Sequence, residues 1–222
     1  MDAGIGIDMG GTRIKIGVVD SGQILASSVI HSSAHVNLEE RLHEIGDHVD
    51  LLLEKSECQP LGVGLAFPGI VDTVNKKILS KYVKFPDAQH VDLSEWARSR
   101  WGVPLALEND ARAALVGEWQ YGAGKDCDNL VLITLGTGVG TAALINGKLL
   151  HGKHFLAGSL GGHMTINLHG EICNCGNLGC VESEAWTWAL SNIASPYPEF
   201  GTSTLAKEPE VNFGVVFTHA KN

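Results

Sequence analysis

Several things are scarce in this sequence, and each scarcity excludes something. Five cysteines stand in 222 residues. Their number is odd and three crowd into Cys173–Cys180, which is not the disulfide framework of a small secreted domain. The longest apolar run near mid-chain, LVLITL, is far shorter than the ~20 residues that span a bilayer. Positive charge is sparse: 16 Lys and Arg against 25 Asp and Glu give a formal net charge of −9, with no basic run. That balance suits neither nucleic acid nor an anionic membrane surface. The opening MDAGIGID has neither the basic nor the long apolar region of a secretion signal. The expectation is a soluble, cytoplasmic protein with no nucleic-acid and no membrane partner. Two common nucleotide motifs also fail. In YGAGKD, Asp126 stands where the G-x-x-x-x-G-K-[ST] loop needs a hydroxyl, and in GIGIDM, Met9 replaces the last Gly of G-x-G-x-x-G.

Glycine is abundant, at 27 residues, as in chains with many tight turns or loops that hug a ligand. The length suffices for one large domain or two small ones. AGIGIDMGG reads as a strand ending at a Gly pair. TRIKIGVVD alternates Ile14, Ile16 and Val18 on one face, Ser21-Gly22 is a hairpin turn, and QILASSVI is the returning strand. Residues 37–55 carry Leu38, Leu42, Ile45, Val49, Leu52 and Leu53 at helical spacing. LGVGLAFPG is a buried strand, Leu93–Trp101 a helix, PLALEN a strand, and Asn109 or Asp110 caps a further helix. NLVLITL and TAALI are strands flanking GTGVG, and the periodicity weakens from Pro196 on. One segment echoes another: GTRIKIGVVDSG (11–22) and GTGVGTAALING (136–147) share their order of Gly-Thr, apolar strand and glycine turn. Two such units about 125 residues apart suggest a duplicated fold with a cleft between its halves.

Three groups of residues carry chemistry. In DMGGT, Asp8 to Thr12, two glycines let backbone N–H groups approach phosphate oxygens, Thr12 adds a hydroxyl, and Asp8 could hold Mg²⁺. A hairpin with a capping Asp is the equal alternative. LGTGVGT offers a second set of donors without a matching Asp. In ENDARAALVGE, Asp110 opens a helix at a strand end, where an ionised carboxylate could accept a hydroxyl proton during phosphoryl transfer. A plain N-cap is the alternative. Finally, His163, Cys173, Cys175 and Cys180 make a Cys₃His set suited to a closed tetrahedral zinc site. A filled tetrahedron leaves no place for water, so this metal would order a loop rather than react. Redox use fits less well, because Cys-x-Cys is not a thioredoxin-like pair.

Taken in order, DMGGT, ENDARAALVGE, LGTGVGT, GGHM and CNCGNLGCVE resemble the ROK family of sugar kinases and repressors, over nearly the whole chain to about Trp188. The resemblance implies the duplicated, two-lobed actin/hexokinase-like (ribonuclease H-like) α/β fold. An N-terminal lobe would cover residues 1–118 and a partial, incomplete C-terminal lobe 119–222. It implies an ATP-dependent kinase that phosphorylates a hexose or N-acetylhexosamine, with ATP, Mg²⁺ and structural Zn²⁺, and a homodimer. By the same resemblance Asp110 is the catalytic base, and Asn109, Gly69, His163 and Glu182 are sugar contacts. Asp8, Gly10, Gly11 and Thr12, and Gly136, Thr137 and Gly138, are the ATP phosphate loops. Three stretches depart from the family pattern. Leu160 stands where the family has the sugar-contacting Glu of Glu-x-Gly-His, and SKYVKFPD replaces an Asn-Leu stretch. The chain also ends at FTHAKN without the family's glycine-rich adenine-binding loop, so the expectation is a C-terminally truncated relative. The family's regulators carry a helix-turn-helix ahead of the first strand, and here that strand begins at about residue 3. The alternative reading is a non-catalytic sugar-binding or regulatory member, or an inactive fragment.

Overall fold

The structure is a computed structural model that describes residues 1–32, 37–136, 138–187 and 189–220. It divides into two compact units. The first is Met1–Cys127 with His151–Leu156, the second Asp128–Leu150 with Ala157–Asn222. The division anticipated at 118/119 falls inside a helix that ends at Tyr121, and the first unit runs on to Cys127.

The first unit is built on a hairpin of β1 (Asp2–Met9) and β2 (Arg13–Asp20), continued by β3 (Gln23–His31). Ile14, Ile16 and Val18 point to one face of β2 and are buried, as their alternation predicts. The β2–β3 turn places Ser21 and Gly22 at positive φ, the backbone of a tight hairpin turn. Helix α1 (Leu38–Ser56) lies across β2 and β3. It buries Leu38, Leu42, Ile45, Val49, Leu52 and Leu53, the residues its periodicity marks. Asn37 makes no side-chain cap. Instead the Asp87 carboxylate accepts from the N–H groups of Leu38 at 2.7 Å and Glu39 at 3.2 Å. An acidic group here satisfies orphan donors and complements the helix dipole. Strand β4 (Gln59–Phe67) then pairs parallel to β1, and a small ribbon of β5 (Val71–Asp72) and β6 (Lys77–Ile78) follows. Helix α2 (Leu93–Trp101) is capped by Asp92, which accepts from Glu95 N–H. Strand β7 (Leu105–Asn109) pairs parallel to β4, and α3 (Asp110–Tyr121) leaves its end directly. The sheet order is β3-β2-β1-β4-β7. Parallel neighbours need crossover connections, and α1 and α2 lie in those connections.

The second unit repeats the start of this plan. Strands β8 (Leu130–Leu135), β9 (Val139–Ile145) and β10 (Lys148–Leu149) form an antiparallel sheet in the order β10-β9-β8. Its β9–β10 turn, Asn146-Gly147, has φ of 49° and 69°, beside 50° and 81° at Ser21-Gly22. The echo seen in the sequence is thus the same hairpin with the same turn. After β10 the unit is mostly loop, with short helices α4 (Val181–Ala185), α5 (Ala189–Ala194) and α6 (Phe213–His219). No helix of the described residues is long and apolar enough to cross a membrane.

Candidate functional sites

In the first unit, residues from three strand ends come together. Asp8 sits next to the end of β1, paired in register with Lys15 on β2, whose Nζ lies 3.2 Å from Asp8 Oδ2. The loop beyond it is tight: a Cβ on Gly10 would stand 2.4 Å from the Arg13 carbonyl, so only glycine fits. The Thr12 carbonyl accepts from Ser32 N–H at 3.0 Å, which anchors the loop to the end of β3. The Gly11 carbonyl accepts from Lys84 Nζ.

At the end of β7, Asn109 is buried and its amide makes three hydrogen bonds. Its Oδ1 caps α3 by accepting from Arg112 N–H at 3.2 Å. Its Nδ2 donates to the Gly69 carbonyl at 3.0 Å and to Asp110 Oδ1 at 2.9 Å. The same Oδ1 of Asp110 accepts from Ala111 N–H at 2.9 Å. Asp110 Oδ2 has no hydrogen-bond partner among the described residues. Burial raises the Asp110 pKa above the ordinary aspartate value. The Ala111 N–H and the Asn109 amide oppose that rise, and the charge of Asp8 adds to it. The structure therefore brings Asp8, Asn109, Asp110 and Gly69 into one neighbourhood. Gly69 has a φ of +114°, and a Cβ there would stand 2.3 Å from Ser80 Oγ. Position 69 must therefore be glycine on both counts.

Further residues of this neighbourhood were given no role in the sequence analysis. Glu108 receives His151 Nε2 at 2.7 Å and Asn109 N–H at 2.8 Å, and Arg112 Nη2 donates to the Phe155 carbonyl at 3.0 Å. These bonds hold the excursion His151–Leu156 against the first unit. Tyr82 packs edge-on against Phe67, with centroids 5.6 Å apart. Its hydroxyl would be 3.6 Å from a Cβ on Gly11, and its pKa is raised by burial and then by the Asp110 charge. Tyr82 and Lys84 both lie in SKYVKFPD. The only hint in the sequence was that this stretch departs from the family pattern.

The second unit holds the other candidate residues. The turn after β8 is gripped from outside: the Gly136 carbonyl accepts from Thr187 Oγ1 at 2.7 Å and Thr187 N–H at 3.2 Å. Thr137 lies outside the described residues. Glu182 is buried, and its Oε2 accepts from Val139 N–H at 2.9 Å. A Cβ on Gly138 would stand 2.6 Å from that same oxygen. Glu182 thus braces the glycine turn, a contact its sequence position did not suggest.

His163 closes the short turn Gly161–His163. Both glycines press on β9: added Cβ atoms would meet Thr141 Cγ2 at 2.6 Å and the Val139 carbonyl at 2.0 Å. The neighbouring Leu160 is exposed. The loop with the cysteines wraps back through Gly176 and Gly179, both at positive φ. One ligand atom each from His163, Cys173, Cys175 and Cys180 lies within 4.8 Å of all the others. His163 Nδ1 is 3.7 Å from Cys173 Sγ, and Cys175 Sγ is 3.7 Å from Cys180 Sγ. A tetrahedron with metal–ligand bonds of about 2.0–2.3 Å has edges of about 3.5–3.8 Å. The four side chains suit zinc in kind and number, and the two pairs at 3.7 Å match those edges.

The ROK family model matches residues 4–218. A glucokinase of Thermotoga maritima is 33% identical over 205 residues, which are 91% of this chain and 63% of the relative. A xylose repressor of Bacillus subtilis is 31% identical over 189 residues, 84% of this chain and 48% of the relative. Among solved structures, a ROK family glucokinase from Streptomyces griseus in complex with glucose and AMPPNP matches with a TM-score of 0.75 at 30% identity. That match covers 99% of this chain and 71% of the other. The mixed parallel and antiparallel architecture is therefore the actin/hexokinase-like α/β fold. The chain spans less than two thirds of either curated relative.

Proposed function

This chain belongs to the ROK family, and from that premise we propose that it serves ATP-dependent phosphorylation of a hexose or N-acetylhexosamine hydroxyl. The observation that carries the reading is the Asp110 carboxylate at the N-terminus of α3. One oxygen is held by Ala111 N–H and the Asn109 amide, and the other is open to a substrate. Held in this way, the carboxylate can orient a sugar hydroxyl and accept its proton as the phosphoryl group arrives. Asn109, Gly69, His163 and Glu182 are assigned to the sugar, in keeping with the resemblance. Asn109 and Glu182 would act through bonds that already hold them rigid, and rigidity is what positioning requires.

Gly10, Gly11 and Thr12 in one unit, and Gly136, Thr137 and Gly138 in the other, are assigned to the ATP phosphates through backbone N–H groups. Asp8 would hold Mg²⁺, which neutralises charge on the phosphates when bound. Lys15 occupies Asp8 Oδ2 here and would give way to the ion. His163, Cys173, Cys175 and Cys180 would hold zinc, which fixes the loop that carries them. Leu160 offers no polar group where the family resemblance implies a carboxylate, so contact with the sugar on that side rests on the other residues.

The test is a coupled phosphorylation assay over a hexose panel. Asp110→Asn should lower kcat by about 10²–10⁴-fold with sugar affinity retained. Unchanged turnover in that variant would remove Asp110 from the mechanism. The raised Asp110 pKa sets the sign of the pH dependence. A base works deprotonated, so kcat/KM should fall as pH drops through a value above the ordinary aspartate pKa. In the metal-free protein, Asp8→Asn should lower the Asp110 pKa by removing a like charge, read by NMR titration. The similarity to a xylose repressor supports a second reading, a sugar binder without catalysis. Sugar binding with no turnover on any member of the panel would favour it.

A further inference from the structure

The stretch SKYVKFPD lies against the first glycine loop, although more than seventy residues separate them in sequence. It is anchored at both ends of its reach. Ser80 Oγ accepts from Ile70 N–H at 3.0 Å, beside Gly69. Phe85 is buried against Phe67 and Tyr82. Lys84 stands between these anchors, half-buried, with its ammonium on the Gly11 carbonyl. No carboxylate pairs with it among the described residues, whereas Lys15 nearby is paired with Asp8. An ammonium with one carbonyl for a partner keeps two of its three N–H donors for another ligand.

We propose that Lys84 is a positioning residue for the first phosphate loop, setting the aim of its backbone donors and holding a positive charge beside them. A trans peptide points its C=O and N–H in opposite directions. Holding the Gly11 carbonyl on Lys84 therefore fixes the direction of the Thr12 N–H, one of the donors the loop offers an anion. The loop is otherwise pinned by Gly10 against the Arg13 carbonyl and by Thr12 on Ser32, so Lys84 holds the one peptide between two fixed points. Tyr82 stands close to Gly11 and feels the Asp110 charge. The same stretch therefore reaches from the phosphate loop to the base. The ligand class is a polyphosphate chain. This inference rests on the reading of Gly10–Thr12 as a phosphate loop.

The test is calorimetric binding of magnesium tripolyphosphate to the full chain, at low and moderate salt, for wild type, Lys84→Met, Lys84→Gln and Lys84→Arg. Lys84→Met should bind about tenfold more weakly, with a shallower salt dependence, and Lys84→Arg should recover most of the affinity. Lys84→Gln, which keeps a donor without the charge, should fall between them. Equal affinity in wild type and Lys84→Met, equal losses in the Met and Arg variants, or no binding by wild type at millimolar concentration would each overturn the proposal. The sugar-kinase reading fails separately. Lys84-dependent polyphosphate binding with no transfer to any hexose would defeat that reading and leave the role of Lys84 standing.

Discussion

The two units begin with the same local code and end in different states of burial. In the first, β1 carries Ile5 and Ile7 at 2% and 3% exposure. In the second, β8 carries Val131 and Ile133 at 75% and 60%. Both strands alternate, both lead into a glycine loop, and both hairpins continue through a two-residue turn with positive φ. The difference lies outside the hairpin. β1 is flanked by β4, and α1 covers its sheet, whereas the second sheet stops at three strands among the described residues. Strand pairing and turn geometry are local, but apolar burial depends on what else packs against the strand. The second unit has braces of its own: Thr187 on Gly136, Glu182 on Val139, and the gathered side chains of His163, Cys173, Cys175 and Cys180.

The sharpest way to break the comparison is in the first core. Ile7→Ala should cost about 2–5 kcal/mol, read by urea unfolding, because it empties a filled site. A loss below 1 kcal/mol would mean that the first sheet is no better packed than the second. Next comes the metal cluster. Chelation, or Cys173→Ser, should raise amide exchange across residues 163–187 by about a hundredfold while β1, β2 and β4 keep their protection. Metal analysis should find about one zinc per chain; none, with all four ligand side chains open to modification, would remove zinc from the account. A smaller effect should separate the two glycine loops. Gly138→Ala pushes on the Glu182 carboxylate and should cost about 1–3 kcal/mol. Gly11→Ala has ordinary clearance to Tyr82 and should cost less by the same urea unfolding. The least change is expected on β8, where Ile133→Ala should stay within about 0.5 kcal/mol, as for other exposed positions.

Much of the first unit could be read from residue order. The period of α1, the alternation of β2, the Ser21-Gly22 turn and the Asn109 cap each rest on neighbours within a few positions, and local geometry follows from them. The Cys₃His cluster was legible for the same reason, since three of its four members share one loop. Less could be read where a side chain works at a distance. Asp87 caps a helix 49 residues upstream, and Lys84 reaches Gly11 across 73 residues. Glu182 braces Val139 from 43 residues away. No spacing rule reports such pairs. The place of His151–Leu156 in the first unit could not be read for a related reason, because Glu108 and Arg112 bond His151 and Phe155 across 43 residues.

What residue order showed, then, is the hairpin, its repetition, the carboxylate at the head of α3 and a group of one His and three Cys that folds together. These depend on backbone preference and on chemistry carried within short stretches. Tertiary structure alone decided that β1 is buried where β8 is not, which Asp110 oxygen is left open, and that a lysine from a departing stretch reaches the Gly11 carbonyl. Each of those depends on desolvation and on contacts between segments far apart in the chain, and neither quantity exists until the chain has folded.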